Sequence, residues 1–351
     1  MPLQYGGVAR KAGAGCDVFL GRRSLTESPK RPGSRISNRG LRALVTGGAG
    51  FIGSHLVERL VAEGCKSVTV LDNLSRGRKA NLAAVWQAIR FFEADIRNQA
   101  DVATIIRKTD VVFHLAAQSN VLGAVEDVDY ASSTNVIGTA AVLQQARASG
   151  VRRVVFTSSR EVYGDTAALP VSETAPLRPK NAYGMSKVAG EMCCAMSTRA
   201  PEVVILRLAN VYGPRDSGRV IPLFIDNALS GRPLVLYGGK QTIDFVHVDD
   251  AVDALLAAAF GEHVACPVNV GSGTGTTIAE LAERILKLTN SKSAISWQAS
   301  RDVEVTHFVA DNTRSRKLFG LEYRKDVLHG LPELIARTVA ESQTALRAAA
   351  V

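Results

Sequence analysis

The stretch Thr46-Gly47-Gly48-Ala49-Gly50-Phe51-Ile52-Gly53 decides the fold. It follows the short apolar run Arg42–Thr46 and leads into Ile52–Ala62, whose apolar residues recur at three and four positions, the period of an amphipathic helix. Gly47, Gly50 and Gly53 stand three apart. A strand-to-helix turn needs that arrangement when its backbone must approach a pyrophosphate at the helix N-terminus. Such a triple arises by chance about 0.2 times in a chain of this length and glycine content, so its context carries the weight. A second strand, Ser67–Leu71, runs into Asp72, 19 residues after Gly53. A carboxylate there accepts hydrogen bonds from both ribose hydroxyls and repels a 2′-phosphate, which favours NAD over NADP. Arg76 and Arg78 follow closely and leave some tolerance for NADP open.

Outward from this loop, short β-branched runs alternate with longer helical stretches. Further strands are expected at Arg90–Glu93, Asp110–His114, Arg152–Thr157 and Val203–Leu208, and further helices at Gln99–Arg107, Asn135–Ala148 and Ala182–Thr198. Six such units in a row predict an α/β protein with a Rossmann-like, doubly wound parallel sheet over residues 41–210. After Asn210 the alternation gives way to turns such as Gly213-Pro214 and Gly238-Gly239. Residues 211–351 are therefore expected to form mainly a smaller α/β substrate lobe, with some segments returning to the sheet.

The chain has 351 residues and a net charge of +9, from 42 Lys and Arg against 33 Asp and Glu. That excess alone would suggest a polyanionic partner. Residues 1–40 hold eight basic and two acidic side chains, leaving 34 against 31 for the rest. The tail also has seven glycines and little apolar periodicity, the composition of a disordered extension. Nucleic acid is therefore not expected as a partner. No apolar run reaches the roughly 18 residues of a membrane span. The five cysteines, Cys16, Cys65, Cys193, Cys194 and Cys266, include no CxxC pair, which points to a reducing, cytoplasmic setting without a disulfide framework or bound metal.

The fifth strand runs into Thr157-Ser158-Ser159-Arg160-Glu161-Val162-Tyr163-Gly164, and Tyr183-Gly-Met-Ser-Lys187 begins 24 residues after Ser159. Tyr183 and Lys187 share one helix face, so the ammonium can lie near the phenol and favour its ionised form. A phenolate so stabilised takes a proton from a sugar hydroxyl, and the Ser159 hydroxyl can hydrogen-bond the same oxygen. Asp95-Ile96, after the third strand, suits adenine recognition or a helix cap. His114 and His247 follow apolar strand residues and read as structural. Gly271–Gly275 reads as a turn before a helix at Thr277–Leu288, capped by Thr276 or Thr277 with Glu280.

Taken together, Thr46–Gly53, Leu71–Ser75, His114–Gln118, Asn135–Thr139, Thr157–Gly164, Tyr183–Lys187, Arg207–Pro214 and Asp244–Asp250 resemble the extended short-chain dehydrogenase/reductase family, in its NAD-dependent nucleotide-sugar epimerase/dehydratase branch. The similarity runs over residues 42–345. It implies a tightly held NAD bordered by Gly47, Gly50, Phe51, Ile52, Gly53, Asp72, Asn73, Asp95, Ile96, Ala116, Tyr183 and Lys187. It also implies catalytic roles for Ser159, Tyr183 and Lys187, with Glu161 and Asn135 beside them, and frequently a homodimer. Asn210, Arg219 and Arg301 fall where the family binds the substrate diphosphate, with Arg215 a further candidate, and a UDP-sugar is the expected substrate.

Family members share a 4-keto sugar intermediate and differ in its fate. The 4,6-dehydratases read Thr-Asp-Glu where this chain reads Ser159-Arg160-Glu161, so the acid of a dehydratase is replaced by a guanidinium. Ile243 likewise stands where many epimerases carry an Arg before Asp-Phe. A 4-epimerase is the favoured reading, with 4,6-dehydratase or UDP-glucuronate-type decarboxylase as alternatives. An NAD(P)-dependent ketone reductase and a cofactor-binding sensor without chemistry stand outside the family's main reactions.

Overall fold

In the computed structural model the described residues are 40–349, except 167, 198, 199, 240 and 263. The expected disordered extension, apart from Gly40, lies outside them. The chain runs β1 (Arg42–Thr46), α1 (Phe51–Ala62), β2 (Ser67–Asp72), a 3₁₀ segment Lys79–Ala88, β3 (Ile89–Glu93), α2 (Gln99–Ile105) and β4 (Val111–His114). Two short helices, α3 (Val121–Glu126) and α4 (Val128–Ser132), lead through a π-turn at Ser133–Gly138 into α5 (Thr139–Ala148). Then come β5 (Arg153–Ser159), α6 (Ala182–Ala195), β6 (Glu202–Leu208), β7 (Asn210–Tyr212), α7 (Val220–Leu229), β8 (Leu234–Tyr237) and β9 (Thr242–His247). The rest is α8 (Val248–Phe260), β10 (Val268–Val270), β11 (Gly275–Thr277), α9 (Ile278–Thr289), β12 (Ile295–Gln298), β13 (His307–Phe308), α10 (Thr313–Phe319) and α11 (Leu331–Ala349).

Seven parallel strands form the main sheet in the order β3-β2-β1-β4-β5-β6-β10. Its inner strands are mostly apolar because both faces are covered, whereas the edge strand β3 leaves Arg90 and Glu93 exposed. In β1, Ala43 and Val45 join a core with Leu56, Val57 and Leu60 of α1 and with α8, whereas Leu44 joins Val102 of α2 and Val142 of α5 on the other face. The register sets Thr46 opposite Leu71 and His114, which brings the strand carboxyl ends to one edge. Sequence order reverses across β1 and β4 there, and a crevice opens between them.

The last sheet strand, β10, and the sheet-covering α8 both come from beyond residue 210. A second core gathers Phe224 and Ile225 of α7, Leu234 and Leu236 of β8, and Leu281 and Ile285 of α9, with Leu331 of α11. Thr277 caps α9 in a reciprocal pair with Glu280, as the capping pattern predicts. The glycine cluster before it is held as a turn by Asp244, which accepts the Ser272 and Gly273 N–H groups.

Candidate active site

One cavity of about 930 Å³ runs from the glycine loop, past the carboxyl ends of β2, β4 and β5, into the second core's lobe. At its first end the glycines are dictated by space. A Cβ on Gly53 would sit 2.2 Å from the Gly47 carbonyl oxygen, and one on Gly47 2.7 Å from the Ala116 nitrogen. No side chain caps α1 at Gly50, so its N-terminus presents backbone to the cavity. Asp72 is buried at the end of β2 and accepts the N–H groups of Ala49 (2.9 Å) and Leu74 (2.8 Å). Burial pushes its carboxyl up, against these backbone hydrogen bonds. Asp72 therefore shapes the glycine loop and also borders the cavity, a double duty that spacing could not show. Phe51, Ile52, Asn73, Ile96 and Ala116 complete this end. The narrow loop, uncapped helix and carboxylate fit a dinucleotide such as NAD.

Asp95 is absent from the cavity wall, which Ala94 and Ile96 form instead. Its carboxylate is taken up by Arg97 (2.9 Å) and by Asn73 Nδ2 (2.9 Å). Burial alone would raise it, but these donors hold it at about 2. It is not a helix cap either, since Asn98 caps α2.

In the middle of the cavity Ser159 ends β5 and Tyr183 opens α6, and both side chains border it. Burial pushes the Tyr183 phenol up, opposed by the neighbouring Ser159 hydroxyl and by the charges of Arg219 and Arg160. The net direction is opposite to the ionised form that the Tyr183 and Lys187 spacing suggests. The Lys187 ammonium lies 5.9 Å from the Tyr183 ring centroid and donates to the Thr157 carbonyl at 2.9 Å. Burial pulls it down to about 8, against Cys194 and Glu191. The helical spacing does bring tyrosine and lysine together, but desolvation outweighs their attraction.

Glu161 also borders the cavity, buried and paired with Arg160 at 3.0 Å. Asn135 does not border it. Its side chain clamps Gln118 at both N–H (2.8 Å) and C=O (3.0 Å) and donates to Ser186 Oγ (2.8 Å), which in turn donates to the Tyr183 carbonyl. Asn135 thus holds the loop after β4 against α6 from within the π-turn, an insertion frequent at functional sites. His114 bridges Thr46 (2.7 Å) and Thr139 (3.0 Å). Its burial, with the Lys187 charge added, lowers it to about 3, so it is a neutral tie. His247 caps α8.

The lobe end carries Asn210, Arg215, Arg219 and Arg301. Arg301 stacks 3.6 Å from the Tyr237 ring and pairs with Glu304, while Arg215 is held by Glu58 at 2.6 Å. Ile243 is buried in the second core and borders the cavity.

The model of the NAD dependent epimerase/dehydratase family matches residues 43–271. The chain belongs to that family. A UDP-glucose 4-epimerase of Mycolicibacterium smegmatis is 38% identical over 311 residues, 85% of this chain and 97% of that protein. UDP-glucuronic acid decarboxylase 2 of Arabidopsis thaliana is 35% identical, over 86% of this chain and 68% of that protein. A dTDP-glucose 4,6-dehydratase of Streptomyces venezuelae, solved with NAD bound, superposes with a TM-score of 0.81 at 33% identity, over 84% and 96% of the two chains.

Several residues of the site escaped the sequence reading. Asn181 caps α6 through the Gly184 N–H and also donates to Glu161 (2.8 Å). An Asn just ahead of an amphipathic run was the available signal. Arg337 and Thr338 of α11 border the cavity from the far end of the chain, and no local pattern marks them.

Proposed function

We propose that the protein is a cytoplasmic, homodimeric, NAD-dependent UDP-sugar 4-epimerase. The observation that carries this reading is the meeting of Ser159, Tyr183 and Lys187 in one cavity, between a dinucleotide cradle and an arginine-lined lobe. Bound NAD supplies a reversible hydride acceptor. Tyr183 takes the proton of the sugar 4-hydroxyl and later returns it. Ser159, beside the phenol on the cavity wall, holds the same sugar oxygen through both stages. Lys187, anchored on the Thr157 carbonyl, brings positive charge to the buried phenol as it ionises.

Gly47, Gly50, Phe51, Ile52 and Gly53 take the cofactor's pyrophosphate end, and Asp72 with Asn73 its ribose. Ile96 and Ala116 pack against it, and Asp95 acts only by holding Asn73 and Arg97. Asn135 is a positioning residue. Asn210, Arg219 and Arg301 hold the substrate diphosphate, with Arg219 and Arg301 supplying its counter-charge where Ile243 leaves none.

Epimerisation asks nothing of other acid/base groups, whereas dehydration needs an acid beside Ser159. Arg160 stands there, and a guanidinium does not give up a proton at neutral pH. A decarboxylase is the second reading, favoured by Glu161 in the cavity wall. Homodimerisation rests on an exposed apolar stripe: Met185, Met192 and Met196 project along α6, and Ile137 is exposed in the nearby π-turn.

The purified protein, incubated with UDP-, dTDP- and GDP-sugars, should convert a UDP-sugar into an isomer of equal mass with no added reductant, as read by NMR and mass spectrometry. Loss of water or carbon dioxide from the product would replace this reading with a dehydratase or a decarboxylase.

A further inference from the structure

Arg160 and Glu161 are consecutive, and both lie buried in the cavity wall beside Ser159 and Tyr183. Arg160 Nη2 is 3.0 Å from Glu161 Oε1, and its Nη1 donates to the Val305 carbonyl at 3.4 Å. The other Glu161 oxygen accepts the Asn181 amide at 2.8 Å. Asn181 is itself fixed, donating to the Val303 carbonyl (2.9 Å) and capping α6. Both oxygens of Glu161 are thus engaged by a cation and an amide. To take a proton, Glu161 would have to give up one of these two contacts.

The inference rests on the epimerase reading, in which Ser159 and Tyr183 mark the place of the sugar 4-oxygen. The Glu161 N–H donates to Ser159 Oγ at 3.2 Å, and Glu161 borders the same cavity as Ser159 and Tyr183. Once the 4-hydroxyl has become a ketone, hydrogens on the two flanking carbons are acidic. A free carboxylate there would take one: the C–H bond breaks, its electron pair moves to the ketone oxygen, and the proton passes to the carboxylate. From that enolate the sugar can eliminate a leaving group. We infer that Arg160 determines the outcome of the reaction, tying Glu161 down so that the ketone's neighbours keep their protons and hydrogen returns to C4.

The test is solvent exchange during turnover of UDP-glucose in D2O by the full chain with its NAD. The unaltered enzyme should interconvert the sugars with no deuterium on carbon. Arg160→Ala should introduce deuterium beside C4 at about a hundred times the background level or more, and adding Glu161→Gln should return it to background. Arg160→Gln, which keeps a donor but no charge, should behave alike and guards against misfolding of the alanine variant. Deuterium on carbon in the unaltered enzyme's product, or none in a folded Arg160 variant that still forms product, overturns the inference. An unaltered enzyme that epimerises no UDP-sugar overturns the parent reading, and this one with it.

Discussion

Tyr183 borders the cavity with Ser159 and lies within the field of three charged neighbours, Arg219, Glu161 and Arg160, which makes it the most exacting single position. Tyr183→Phe keeps the ring and its packing but loses the proton carrier. Turnover should fall by about 10³-fold while NAD stays bound, measured by product NMR and by cofactor retained after gel filtration. Full activity in that variant would refute the assignment. Lys187 carries a stability consequence as well. Its ammonium titrates at about 8 in the folded protein against an ordinary 10.5. Between those values the unfolded chain binds the extra proton, so stability rises with pH as the cost of burying the charge fades. Lys187→Met should therefore be more stable than the unaltered protein at pH 7, by about 1–3 kcal/mol. The gain should vanish by about pH 11; a gain independent of pH in thermal unfolding would contradict this account. The identities and spacing of these side chains are legible in the sequence. The sign of the Tyr183 shift is not, because it depends on how completely the cavity removes the phenol from water.

The glycine loop and α1 form one unit, in which the turn admits no side chain at Gly53. Gly53→Ala would set a methyl group 2.2 Å from the Gly47 carbonyl and 2.8 Å from the Gly48 Cα, contacts with backbone that cannot swing aside. It should cost about 2–3 kcal/mol and release NAD, as seen in paired melting curves with and without added cofactor. Undiminished NAD retention would show that the loop can open. The strands of this half were legible because two-sided burial imposes unbroken apolar runs, and their ends fall within about two residues of expectation. The helices α3 and α4 were not legible. They are six and five residues long and start on Asn120 and Asp127 caps. Elements that short carry too few apolar positions to display a period. The π-turn at Ser133–Gly138 was read as ordinary helix for a related reason: one widened turn leaves the apolar spacing of α5 nearly intact.

Across the whole molecule, the exposed methionines of α6 face away from the cavity-lining Tyr183 and Lys187, so a second copy could cover them without blocking the site. Met192→Asp should shift sedimentation from dimer to monomer while leaving the fold intact; an unchanged dimer would place the interface elsewhere. The parallel sheet, the dinucleotide loop, the strand-end Ser159 and the Tyr183–Lys187 pair are legible in the sequence alone, because each is written in a run of neighbours or in residues one helical turn apart. The union of those parts with Arg301, Arg337 and Thr338 in a single cavity was decided only by tertiary structure, as was the capture of Glu161 by Arg160 and Asn181. So was the passage of β10 and α8 from beyond residue 210 into the first sheet's layers. Apart from the adjacent Arg160 and Glu161, such contacts join segments 20 to more than 100 positions apart. Their energies come from burial and from hydrogen bonds closed in space, for which local periodicity and spacing carry no mark.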